Sequence, residues 1–112
     1  MENEINAWLA DIKQAFVEIN SFLPDKRDFS VFKGDIKTKR AVERNIEIIR
    51  EALARILKKD PSFNITNARR IVDTRNRIIH GYDTVSDDIL WAIICRELPV
   101  LESEIDSKLN NA

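Results

Sequence analysis

The sequence predicts an all-α protein, an up-and-down bundle of four main helices with one short connector. Three observations predict it. Apolar residues recur at steps of three and four over long stretches, the spacing that gathers them on one face of a helix. Only two Gly and three Pro interrupt 112 residues. The composition, 44% hydrophobic and 33% charged, supplies each helix with a buried stripe and a solvated face, and is too rich in large aliphatic side chains for a disordered chain. A chain of this length fits one domain with one core, so residues 1–112 are read as a single helical domain.

The first helix carries Ile5, Trp8, Leu9, Ile12, Phe16, Ile19 and Phe22 or Leu23 on one face, and Pro24-Asp25 stop it. A turn follows over 25–30. Phe29 and Phe32 plug the core from the connector, which Gly34 and Asp35 break. The second helix starts near Asp35 or Thr38. It buries Ala41 or Val42, Ile46, Ile49, Leu53 and Ile56 or Leu57. Lys39, Arg40, Glu43, Arg44, Glu47, Arg50 and Glu51 fall on its other face, several three or four apart with opposite sign, as on a solvated helix surface. Lys58-Lys59-Asp60-Pro61 end it, the lysines complementing the C-terminal dipole. A third helix starts near Ile65 or Thr66, with Ala68, Ile71, Val72, Ile78 and Ile79 as its apolar members and a gap in the stripe at Arg75. Gly81 stops it, because glycine tolerates a positive φ without steric cost. Ser86 caps the fourth helix, with Asp87 and Asp88 in its first turn. Ile89 or Leu90, Ile93 or Ile94, Leu98, Leu101 and Ile105 bury that helix, and Pro99 is expected to kink it. Trp8 and Trp91, both on apolar stripes, are expected as core anchors.

A formal net charge of −1 rules out a molecule that attracts polyanions over its whole surface. Any RNA binding therefore falls to a local patch: Arg69, Arg70, Arg75 and Arg77, joined by Lys37, Lys39 and Arg40. The lone Cys95 excludes an internal disulfide and a cysteine zinc cage, and its apolar surroundings predict an inert core thiol. With one His and one Cys, no metal site and no cofactor are expected. The Glu43, Glu47 and Glu51 row reads as a salt-bridged face rather than a carboxylate metal site. The acidic start Met1-Glu2-Asn3-Glu4 is unlike a signal peptide, and no run approaches the ~20 apolar residues of a membrane span. The expectation is a soluble cytoplasmic protein.

The stretch Arg75-Asn76-Arg77-Ile78-Ile79-His80-Gly81-Tyr82 carries the chemistry. On a helix, the five steps from Arg75 to His80 advance roughly 7.5 Å and turn about 140°, so the two do not share a face. Asn76 and His80, four apart, do. Arg75 is long enough to curl toward His80. An imidazole at a helix C-terminus feels the negative end of the dipole and, titrating near neutrality, can take or give a proton at cellular pH. A guanidinium offers planar donors to phosphate oxygens and offsets charge that builds there. Together they suffice for metal-independent RNA cleavage, in which the 2′-hydroxyl attacks the adjacent phosphate. The spacing alone leaves a second reading open, His80 as a structural hydrogen-bond partner. Asn76 either orients His80 and touches phosphate or caps a helix. Arg77 is either a solvated or dimer-contact residue or part of the basic patch.

The same run resembles the R-x4-H-x-Y signature of HepT-like toxins of the HEPN ribonuclease superfamily. Arg40 to Ile49 with Glu51-Ala52 resembles that family's second long helix. Ile89-Leu90-Trp91 through Leu98-Pro99-Val100-Leu101 resembles its last. Pro61-Ser62-Phe63 departs from the Pro-Trp pair that often precedes the motif helix in the family. The resemblance implies a HEPN-like helical homodimer with two Arg75–His80 pairs facing one cleft, and an RNA endonuclease toxin. It also implies a cognate antitoxin, an MntA-like nucleotidyltransferase that transfers AMP to the tyrosine corresponding to Tyr82. Phosphate added there would occupy the anion site and repel RNA. A dimer also supplies the second imidazole that acid–base chemistry needs. Tyr82 as a packed aromatic at a helix end is the competing reading. At the level of the whole chain the competing function is a non-catalytic helical module that positions substrate for a partner nucleotidyltransferase.

Overall fold

In a computed structural model of the chain, residues 2–66, 72 and 87–110 are described, and every regular element among them is helical. The all-α expectation is met. Helix α1 spans Glu2–Phe22, α2 spans Phe29–Gly34 and α3 spans Ile36–Lys59. After the segment that would hold the third main helix come α4 (Asp87–Ala92), a π-helical turn (Ile93–Glu97) and α5 (Leu98–Asn110), which follow one another without a break. Ser86, Gly81 and the helix expected around them lie outside the described residues, except Val72, which is helical, half-buried and packed on the core.

Local chemistry sets the boundaries. Asp28 caps α2, its Oδ1 accepting the Ser30 N–H at 2.9 Å. Asp35 caps α3: Oδ1 accepts the Thr38 N–H at 3.0 Å and Oδ2 the Thr38 hydroxyl at 2.6 Å. Each carboxylate satisfies a backbone donor that the first helical turn leaves without an intrahelical partner. At the other end of α3, Asp60 donates its N–H to the Ile56 carbonyl at 2.8 Å. Asp60 then accepts the Ser62 N–H and hydroxyl, turning the chain at Pro61. Lys59 bridges to Glu4 at 2.9 Å, tying the end of α3 to the start of α1.

Helix α3 is the centre of the core. Val42, Ile46, Ile49, Leu53 and Ile56 along it have no exposed surface, and burying an aliphatic side chain of this size contributes roughly 1.5–3 kcal/mol. Helix α1 packs along both α3 and α5, and α2 rests on α3. At the end of α1, Leu23 is buried and Phe22 is exposed. The connector works as predicted: Phe32 is buried and Phe29 half-buried, with ring centroids 5.0 and 5.8 Å from that of Trp91. Trp8 and Trp91 are both half-buried against the core.

Three expectations change. Arg50, read as part of the solvated face of α3, has no exposed surface at all. Cys95, read as a core thiol, is exposed; its neighbours Ile93 and Ile94 take the buried positions, and three consecutive helical residues cannot all face one core. The interruption expected at Pro99 takes the form of the π turn. Proline has no N–H, and its ring crowds the carbonyl four residues back, here that of Cys95. A turn in which Leu98 donates to the Ile93 carbonyl, five residues back, widens the helix where that crowding falls.

Candidate active site

Arg75, Asn76, His80 and Tyr82, with the basic residues Arg69, Arg70 and Arg77, lie outside the described residues. The described flanks show how the fold holds the segment that carries them. At its upstream end Ile65 is buried, and the next residue, Thr66, donates its N–H to both carboxylate oxygens of Glu104 on α5, at 3.0 and 3.2 Å. At its downstream end Asp87 accepts from Lys39 of α3 at 3.3 Å, a pair whose side chains are 27% and 19% exposed. The motif-bearing segment is therefore tethered to α5 where it begins and to the N-terminal part of α3 where it ends. Lys39 serves as that tether, while Lys37 and Arg40 of the expected patch remain exposed on α3.

Beside Asp87 opens a groove of about 340 Å³ lined by Phe29, Asp88, Trp91, Ala92, Cys95 and Arg96. A second, of about 160 Å³, runs between the end of α1 and the π turn, where Cys95 is shared with the first. Among the described residues no three His, Cys, Asp or Glu side chains gather as a cation site.

The strongest electrostatic feature of the described core is Arg50. Burial pushes its guanidinium well down from the ordinary arginine value, to about 10, against the attraction of Glu47 on the same helix and Glu97 in the π turn. Its Nε, Nη1 and Nη2 are buried and make no hydrogen bond among the described residues. A buried charge without hydrogen bonds is costly. The sequence does carry a signal for it: Arg50 lies four residues after Ile46 and three before Leu53, in the same helical row as two core positions. Asn45 is a second buried polar side chain, and its amide donates to the Ala41 carbonyl one turn back at 3.1 Å.

Residues 12–107 match the sequence profile of the family described as Ribonuclease HepT-like. That span runs from the middle of α1 through α3 and most of α5 and takes in the whole Arg75–Tyr82 run. The chain belongs to the HepT-like ribonuclease family. A protein of Methanocaldococcus jannaschii named "Putative RNase" is 29% identical over 109 residues, covering 94% of this chain and 87% of its own length. Another from the same organism, with the same designation, is 28% identical over 107 residues, covering 94% and 96%. A third so named, from Caldanaerobacter subterraneus, is 32% identical over 78 residues, covering 69% and 70%. No solved structure gives a significant match. The resemblance first drawn from the Arg-x4-His-x-Tyr run thus extends over most of a HepT-like chain. No helix among the described residues is long and apolar enough to cross a membrane.

Proposed function

We propose that this HepT-like chain is an RNA endonuclease that cleaves by acid–base chemistry without a metal, with Arg75 and His80 as its catalytic residues. The observation that carries the reading is the family match over residues 12–107, which includes the complete Arg75-Asn76-Arg77-Ile78-Ile79-His80-Gly81-Tyr82 run. His80 takes the proton from a ribose 2′-hydroxyl, the freed oxygen attacks the adjacent phosphorus, and Arg75 binds the phosphate oxygens on which negative charge builds. The P–O5′ bond breaks and the departing oxygen takes a proton. The products are a 2′,3′-cyclic phosphate and a 5′-hydroxyl. One imidazole cannot be base and acid at once, so the reading includes a homodimer in which His80 of the partner subunit protonates the leaving oxygen. Asn76, four residues before His80, orients it, and Arg69, Arg70 and Arg77 hold flanking phosphates.

The biological role follows from the resemblance to HepT-like toxins. The chain acts as the toxin of a pair, and an MntA-like nucleotidyltransferase antitoxin neutralises it by adenylylating Tyr82. Two residues from His80, the added phosphate places negative charge where RNA phosphate must bind.

Purified protein incubated with RNA in the presence of a chelator tests the chemistry. It should yield fragments ending in cyclic phosphate, and His80→Ala should abolish cleavage while leaving helicity unchanged. Cleavage by the His80→Ala protein at the parental rate would overturn the reading. Intact-mass measurement after coexpression with a nucleotidyltransferase encoded beside it should show added AMP that the Tyr82→Phe variant lacks.

A further inference from the structure

The near-zero net charge hides a strong segregation. Helix α3 carries eight Lys and Arg against three Glu. Helix α1 carries four acidic residues against Lys13, and α5 three against Lys108. Positive charge is therefore concentrated on the helix that runs through the centre of the core.

On the N-terminal half of α3, Lys37, Arg40 and Arg44 are all exposed. Steps of three and four place them in one row on one face, and from the first to the last the helix advances about 10.5 Å. Lys37 and Arg44 make no salt bridge among the described residues. Arg40 meets Glu43 at 3.3 Å, but its side chain is 62% exposed, and a surface pair of this kind is worth at most about 1 kcal/mol. It yields readily to a phosphate. Glu47 and Glu51 continue the row and mark where the basic face ends. Lys39 points elsewhere, into its tether with Asp87.

That tether places the row. Asp87, seven residues after His80 in sequence, pairs with Lys39 on the turn of α3 that also carries Lys37 and Arg40. Protein interfaces favour aromatic residues together with arginine at their centres and deplete lysine. Here Lys37, Arg40 and Arg44 lie in succession with no aromatic residue in the row, Ala41 half-buried and Glu43 paired to Arg40 between them, which fits a polyanion backbone rather than an aromatic-centred protein surface.

We propose that Lys37, Arg40 and Arg44 form a track on α3 that binds the phosphate backbone of the RNA strand flanking the cleavage position. The choice of RNA rests on the ribonuclease reading above; the track itself rests on the row and its tether.

Binding is measured by fluorescence anisotropy of a labelled single-stranded RNA against salt concentration, in full-length His80→Ala protein so that the RNA stays intact. Each phosphate contact on a single strand contributes about 0.7 to the slope of log affinity against log salt, or roughly fivefold in affinity at 0.1 M. Lys37→Ala combined with Arg44→Ala should lower the slope by about 1.4 and weaken binding roughly 20-fold at 0.1 M salt. Lys37→Gln with Arg44→Gln, which keeps long side chains, should do the same. Lys58→Ala at the far end of α3 should change neither quantity. Circular dichroism and melting should be parental throughout, since all these side chains are exposed. Parental slope and affinity in both double variants would overturn the proposal, as would parental RNA binding accompanied by lost binding to the coexpressed nucleotidyltransferase, which would assign the face to a protein. The two readings fail separately. If the parent cleaves RNA and the double variants bind it normally, only the track is lost. If the parent binds RNA through the track but never cleaves it, only the nuclease reading is lost.

Discussion

Replacing Arg50 by methionine tests whether a desolvated charge sets the stability of the contact between α3 and the π turn. Methionine keeps an unbranched stem and good helix propensity while removing the charge. The fall of the guanidinium to about 10 through burial means that the fold disfavours the charged form by roughly 3 kcal/mol, at 1.36 kcal/mol for each tenfold change in proton affinity. The attraction of Glu47 and Glu97 is already inside that figure, and the imperfect fit of methionine to a site shaped by a guanidinium takes part of the gain back. A net gain of about 1–2 kcal/mol remains, within the range seen when buried charges give way to apolar side chains. For a domain of this size that raises Tm by roughly 4–8 °C at neutral pH. The pH dependence has a definite sign. A base whose folded pKa is depressed holds its proton more tightly in the unfolded chain, so its destabilising effect is complete at neutral pH and fades as pH rises through about 10. The advantage of Arg50→Met over the parent should shrink over the same interval. Thermal melts followed by circular dichroism, in parallel from neutral pH to about 10.5, check both points. A Tm several degrees below the parent at neutral pH would refute the reasoning, since it would mean that the guanidinium is net favourable where it sits.

Two other substitutions probe the described fold. The Thr38 hydroxyl and N–H hold the Asp35 carboxyl below its ordinary 3.8; a carboxylate with a depressed folded pKa contributes stability above its unfolded value and loses it as pH falls through the folded one. Asp35→Ala should therefore melt below the parent at neutral pH, with the two curves converging as pH falls below the folded value of that carboxyl; a gap that persists in acid would assign the cap to something other than the ionised carboxylate. Cys95 is exposed beside two grooves, so a disulfide reagent should titrate one thiol per chain in the native protein without lowering its Tm. Reaction only after unfolding would return Cys95 to the core.

Periodicity made α1, α3 and the last helix legible, because each buries one stripe and the steps of three and four survive in the folded chain: Leu9, Ile12, Phe16 and Ile19 on α1, and Val42, Ile46, Ile49, Leu53 and Ile56 on α3. It failed where charge overrode position. Arg50 stands in the row of Ile46 and Leu53, yet a charged residue type was assigned to water. At Cys95 the error ran the other way, since an apolar neighbourhood in sequence is not an apolar neighbourhood on a helix. The π turn left no trace in the stripe, because Leu90, Ile94 and Leu98 are spaced as an ordinary helix would space them; only Pro99 announced a disturbance. For the candidate site, the residue pattern identified the motif and its family, whereas the tethers that hold it, Thr66 to Glu104 and Lys39 to Asp87, join residues 38 and 48 positions apart, a pairing that no local pattern encodes.

Those tethers connect the charge distribution to the chemistry. The motif segment begins against α5, an acidic helix, and ends against α3, a basic one. On the acidic side, Lys13 of α1 reaches Asp106 at 2.9 Å and Glu102 at 3.3 Å on α5, so the two acidic helices meet through a shared, part-exposed cation that neutralises some of their charge. Among the described residues no salt bridge covers Lys37 and Arg44. On the proposed reading, RNA at the track meets attraction from α3 and repulsion from α5, a gradient that orients the strand as well as binding it. Net charge sums the two sides and conceals the gradient. For a small helical nuclease, where positive charge is placed relative to the reacting phosphate matters more than how much of it the chain carries.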